Sequence, residues 1–179
     1  MSKTVILVSA AVIAISLYVI LSPHFKEEVR VVGKIRDEPV DIHKVEIEEI
    51  RISYGGRSFN LDPESPSARK LLYYVQQALP QLRVEPGNLS AFMGDEEVKA
   101  LMRNSSYVLI VLKEEKPISF GELTYPCRRL VVFLDGRATG MLGVQPAGGA
   151  MQQVAPSWEF AAMPEENLQE LLSLIEEAS

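Results

Sequence analysis

Two kinds of apolar spacing take turns along this chain, and each predicts an element. From Lys44 the sequence runs KVEIEEIRISYGGRSFNLD. Val45 and Ile47 alternate with charged residues, and Ile50, Ile52 and Tyr54 resume the alternation in the opposite phase. A period of two marks a strand with one buried face, and the slip at Glu48-Glu49 predicts a bulge or bend. Gly55-Gly56 offers two residues that take positive φ without strain, as a two-residue hairpin turn requires. A turn there sets Tyr54 opposite Arg57, Ile52 opposite Phe59 and Ile50 opposite Leu61. All the apolar residues of the hairpin then share one face.

The period changes in DPESPSARKLLYYVQQALPQL. Ala68, Leu71, Leu72, Val75 and Leu79 recur at i, i+3, i+4, i+7 and i+11, a single stripe along a helix. Asp62 and Ser65 are candidate caps, each followed by a proline suited to a first turn, and Pro80 ends the helix. Tyr73 and Tyr74 edge the stripe. RVEPGNLSAFM shows no period and reads as irregular, after which Asp95 is expected to cap a short helix through Met102. Val98, Leu101 and Met102 are its inward residues.

YVLIVL, Tyr107 to Leu112, is apolar at every position and predicts a strand covered on both faces. RRLVVFLDGRATGMLGVQ predicts a second hairpin turning at Asp135-Gly136. Its first strand sets Val131 and Phe133 on one face and Leu130, Val132 and Leu134 on the other. These two strands are the expected centre of the sheet. PEENLQELLSLIEE closes the chain as a helix with Pro164 at its start and a stripe of Leu168, Leu171, Leu172 and Ile175. The order ββ-α-α-β-ββ-α predicts an α+β fold of about five mainly antiparallel strands in two hairpins. Two long amphipathic helices and one short helix pack on it, behind an N-terminal transmembrane helix.

That last element comes from the opening residues. Val5 to Leu21 is a run of 17 residues without charge, proline or glycine. As a helix it covers roughly 26 Å, against a bilayer core of about 30 Å that asks for near 20 residues. Residues 4–22 are therefore read as a membrane segment. Ile20, Leu21, Ser22, Pro23 and His24 supply no small-x-small cleavage site, so the segment is expected to stay as an uncleaved single-pass anchor. The expected organisation is an anchor at 1–22, a charged spacer at 23–43 with a short strand at Val29 to Val32, and one globular domain at 44–179.

The anchor's orientation is contested by two rules. Lys26, Arg30, Lys34 and Arg36 follow the apolar run, while only Lys3 precedes it, which favours a cytoplasmic domain. A very short head before a first anchor favours translocation, and long domains cross largely regardless of charge. The expected location is the cell membrane with the globular domain outside the cytoplasm.

Composition narrows the options for that domain. The chain holds 18 Lys and Arg against 24 Asp and Glu, a net charge of −6, and five of each sign lie before Lys44. An acidic domain lacks the basic face that phosphate neutralisation needs, which excludes a nucleic-acid partner. The 47% apolar content is that of a globular protein. One cysteine, Cys127, permits no internal disulfide.

Candidate chemistry is sparse. The chain has no GxGxxG, P-loop, GxSxG, HExxH or CxxC, and no cofactor is expected. Asp41 and His43 lack a third metal ligand nearby. His43 lies at the domain edge, a poor place for a buried base to Cys127. Asp95-Glu96-Glu97 and Glu165-Glu166 suit the first turns of helices, and Glu114-Glu115 follows a strand. Met141, Met151 and Met163 have no supporting histidine for a soft-metal site and read as packing residues.

One long connection remains. About 20 residues separate the strand ending near Val144 from the helix at Pro164, which is long for a compact domain. Gln145, Gln152, Gln153 and Trp158, the only tryptophan, are the candidate partner-binding residues of this segment. The competing expectation places Trp158 and Phe160 in an edge strand packed into the core. The expected function is that of a membrane-anchored, non-catalytic interaction or regulatory domain with a protein or small-molecule partner. The alternatives are a carboxylate-dependent envelope hydrolase and a small-ligand-binding protein.

Overall fold

The computed structural model describes residues 38–82, 92–146 and 157–178. Its sheet has seven strands: β1 (Ile47–Tyr54), β2 (Arg57–Leu61), β3 (Phe92–Gly94), β4 (Tyr107–Phe120), β5 (Leu123–Phe133), β6 (Met141–Pro146) and β7 (Ser157–Ala162). Three helices accompany them: α1 (Pro66–Ala78), α2 (Asp95–Asn104) and α3 (Glu165–Ala178). The strands lie in the order β2-β1-β4-β5-β6-β7-β3, and every pair is antiparallel.

The first hairpin is built by its glycines. Gly55 and Gly56 both take positive φ, and Tyr54, Ile52 and Ile50 pair with Arg57, Phe59 and Leu61. The register of β1 against β4 shifts between Ile47 and Glu49, so a bulge carries the phase change in the apolar pattern. Ser65 caps α1, its hydroxyl accepting from the Ala68 N–H at 3.2 Å with Pro66 in the first turn.

One face of the sheet carries α1 and α3. Leu71, Val75, Leu171 and Ile175 meet Ile50, Ile110, Leu130 and Leu142 there in a continuous apolar core. Tyr54 and Tyr74 donate to Glu176 and Glu170 at 2.8 and 2.9 Å, tying α3 to the hairpin and to α1. Ile42 also enters this core fully buried, and its N–H donates to Gln76 Oε1 at 2.6 Å. Among the described residues the opposite face carries only α2. A smaller cluster forms beneath it from Val98, Val131, Phe133, Trp158 and Phe160.

The expectation of about five strands is corrected to seven. β7 follows the long connection and lies inside the sheet between β6 and β3, not at its edge. β3 is three residues long and pairs only with β7, so its existence depends on a partner far away in the chain. The second hairpin does not turn at Asp135-Gly136 in two residues. Instead Asp135 accepts from the Ser106 N–H at 2.6 Å, and Leu134 N–H donates to the Ser106 carbonyl at 2.9 Å. These bonds fasten the end of β5 to the start of β4, and a 3-10 turn at Gly136–Ala138 completes the connection. A further hairpin joins β4 to β5 through Gly121, at φ 60°, with Pro117 opposite Pro126. The short helix is capped by Gly94, whose N–H donates to Glu97 at 2.8 Å, and Asp95 is its first residue.

The expected transmembrane helix at 4–22 and the short strand at Val29 to Val32 fall outside the described residues, and the described fold gives the helix no support. No helix among the described residues is long and apolar enough to cross a membrane.

Candidate functional site

The beginning of β7 brings several polar side chains together around two strands and a helix. Strand alternation sends Trp158 and Phe160 to the α2 face and Glu159 and Ala161 to the other. Trp158 is 2% exposed and stacks on Phe160 with ring centroids 6.2 Å apart. Its indole N–H donates to Asp95 Oδ1 at 3.1 Å. Gln145, half-buried on β6, donates to the same oxygen at 3.4 Å. Lys99, one helical turn along α2, pairs with the other carboxylate oxygen at 2.8 Å. The Lys99 bond first, and then the Trp158 bond, hold Asp95 below its ordinary carboxyl range.

Two of the candidate partner-binding residues, Gln145 and Trp158, therefore meet at one carboxylate. Gln152 and Gln153 lie outside the described residues. Trp158 is buried, so in this arrangement its indole anchors β7 to α2.

Glu159 sits on the other face at 6% exposure. Tyr125 on β5 supplies its hydrogen bond. Burial pushes Glu159 above the ordinary carboxyl range, and the Tyr125 bond opposes that shift in part. Burial and then the Glu159 bond push the Tyr125 phenol up in turn. Sequence reasoning did not select this pair. The available signal was that Glu159 is the sole charge between Gln145 and Met163, set among apolar residues in WEFAA. A carboxyl so placed in a strand has no polar face to occupy.

The remaining candidates separate. Cys127 is fully buried, its thiol donating to the Arg129 carbonyl at 3.1 Å, and burial pushes its pKa up to about 12. Such a thiol is a poor nucleophile. His43 stays at the surface 4.0 Å from Asp41, which is also paired with Lys44. Met163 belongs to the large core and Met141 to the small one on the opposite face; Met151 lies outside the described residues. Glu114 pairs with Lys116. Among the described residues no group of three or more His, Cys, Asp or Glu side chains is placed to hold a metal ion.

Comparison with known proteins does not add a relative. No family model, no curated protein and no solved structure matches this chain.

What this end of the sheet can do follows from its bonds. Asp95 joins two strands and a helix through an anion already shared among three donors. Glu159 is a carboxyl kept toward its neutral form beside a phenol.

Proposed function

We propose that this chain is an interaction or regulatory domain held at a membrane by residues 4–22, with its globular part outside the cytoplasm and without catalysis of its own. The observation that carries the reading is the uncharged run from Val5 to Leu21. Residues Ile35–Ser179 form one compact unit, and among the described residues no buried side-chain polar atom lacks a hydrogen-bond partner. An uncharged apolar run of this length is well accommodated by lipid. Glu159 is the observation that favours the two alternatives, a hydrolase or a small-ligand carrier, since a raised buried carboxyl is a common feature of sites.

Extraction of membranes at alkaline pH tests the anchor. The full chain stays in the pellet, while a chain lacking residues 1–23 is recovered soluble, with the circular dichroism of a folded α+β protein. Release of the full chain, or an unfolded truncated one, overturns the reading. A reporter fused after Ser179 tests the orientation, and a cytoplasmic signal from it overturns the topology.

A further inference from the structure

We propose that β2 is a pairing edge and that its occupant is the β2 strand of a second copy of this chain, related by a two-fold axis through Phe59. The two edges of the sheet are built differently. β3 is three residues long, and short edges resist adding strands. β2 has five residues in unbroken register with β1, without proline, lysine or bulge, so it lacks the usual protections of an edge.

The register states which backbone groups are open. In a two-residue hairpin the flanking residues, here Tyr54 and Arg57, form a hydrogen-bonded pair, and such pairs alternate along the ladder. Arg57, Phe59 and Leu61 therefore turn their N–H and C=O groups toward β1. Ser58 and Asn60 turn theirs outward, and among the described residues the backbone bonds outside the ladders include none from either. Antiparallel self-pairing with Ser58 opposite Asn60 of the other copy joins all four outward groups, twice over. It sets Phe59 opposite its own copy as a non-hydrogen-bonded pair, where side chains approach most closely. A shift of two residues either way leaves part of this set unmatched.

The side chains agree with that register. Phe59 and Leu61 are half-buried on the face that carries α1, whereas Ser58 and Asn60 are exposed on the other. Pairing in this sense continues both faces across the axis. Charge agrees as well, since β2 begins at Arg57 and is followed by exposed Asp62. Antiparallel self-pairing brings each basic end beside the acidic end of the other copy, while a parallel pair would set like charges together. The inference goes beyond the anchor and does not depend on it.

The test uses two full-length variants, Ser58→Cys and Asn60→Cys, with tags of different size. Both sites are exposed and the native Cys127 is buried. Under mild oxidation the co-expressed pair forms a disulfide-linked heterodimer, and either variant alone forms no crosslink. Adding Phe59→Lys to both chains, which sets two ammonium groups against each other at the axis, abolishes the crosslink. Crosslinking of either variant with itself as strongly as with the other overturns the register. Absence of any crosslink, with the unmodified chain sedimenting as a monomer, overturns the pairing. Membrane extraction is unaffected by either result, so a failure here is distinct from a failure of the anchor.

Discussion

The two faces of this sheet are held by different means. Beneath α1 and α3 lies a wide aliphatic core that reaches from Ile52 on β1 to Ala161 on β7. Beneath α2 lies a small aromatic cluster under β5, β6 and β7. Toward β1 that face carries Arg51, whose guanidinium bonds Glu49 at 2.6 and 3.0 Å. Area drives the first face, because apolar burial contributes in proportion to surface removed from water. The second face has less area and relies on particular fits. Trp158 needs Asp95, and Phe160 needs the absence of a side chain at Gly143.

Substitution should separate the two faces. Leu71→Ala on α1 removes a fully buried side chain from the middle of the large core. We expect a loss of about 2–5 kcal/mol, read from urea unfolding followed by circular dichroism. A loss no greater than that of the α2-face substitutions below would break the comparison.

Gly143→Ala tests the fit on the second face. A Cβ at Gly143 would stand 2.3 Å from a ring carbon of Phe160. The ring must then move, and it is packed between Phe133 and Trp158. Overpacking of this sort costs about 2 kcal/mol. Combining it with Phe160→Leu should cost less than the two changes added together, because the leucine vacates the space. Additive losses would show that the Phe160 contact is not the cause.

Removing the acceptor of Trp158 has a smaller expected effect. Asp95→Ala leaves a buried indole N–H without its partner, at a cost of about 1 kcal/mol, and Asp95→Asn keeps an acceptor and recovers part of it. Because Trp158 is the chain's only indole, its emission reports on the site directly. In the unmodified protein it should be blue-shifted and protected from iodide, and Asp95→Ala should move it toward the red. The pH dependence has a definite sign. A carboxyl lowered by folding adds stability above its ordinary range, and that stability is lost as pH falls through the lowered value. An Asp95→Ala protein whose emission and stability match the parent would remove Asp95 from the role of anchor.

The same contrast explains what could be read from residues alone. The elements of the large core carry their instructions locally. Gly55-Gly56 and the alternation around it determine the β1–β2 register, and the stripe from Ala68 to Val75 marks the buried side of α1. β4 and β5, apolar on both faces, do lie third and fourth among seven strands. The second face was harder to anticipate. β3 has too few residues to show a period and exists because β7 offers it an edge. β7 reads as the end of a long connection until β6 and β3 enclose it. Asp135-Gly136 looks like a two-residue turn, and a tertiary bond to Ser106 overrides that local preference. At the candidate site, Gln145 and Trp158 stood out by type. Asp95 looked like an ordinary cap, and the Glu159–Tyr125 pair had no local sign beyond a lone charge.

Glu159 supplies the smallest expected effect and the only gain. Its carboxyl is buried on the face that carries α1 and α3 with the Tyr125 phenol as its hydrogen-bond partner, and burial raises it above the ordinary value of 4.5. Below that value the group is protonated both folded and unfolded, so folding incurs no charge penalty. As pH rises, the unfolded chain gives up this proton first. The contribution of Glu159 to stability is therefore full at low pH and is lost as pH climbs through the raised folded value. Glu159→Gln removes the ionisation and keeps an oxygen to accept from Tyr125. At pH 4 the variant and the parent should melt together, and at pH 7 the variant should melt higher. Tyr125→Phe should act the other way at pH 7, because it removes the hydrogen-bond donor that partly offsets the burial of this carboxyl. Thermal melts between pH 4 and pH 8 measure all three. A Glu159→Gln protein less stable than the parent at pH 7 would mean that the charged form is favoured by partners other than Tyr125, and it would reverse the sign assigned to this buried group.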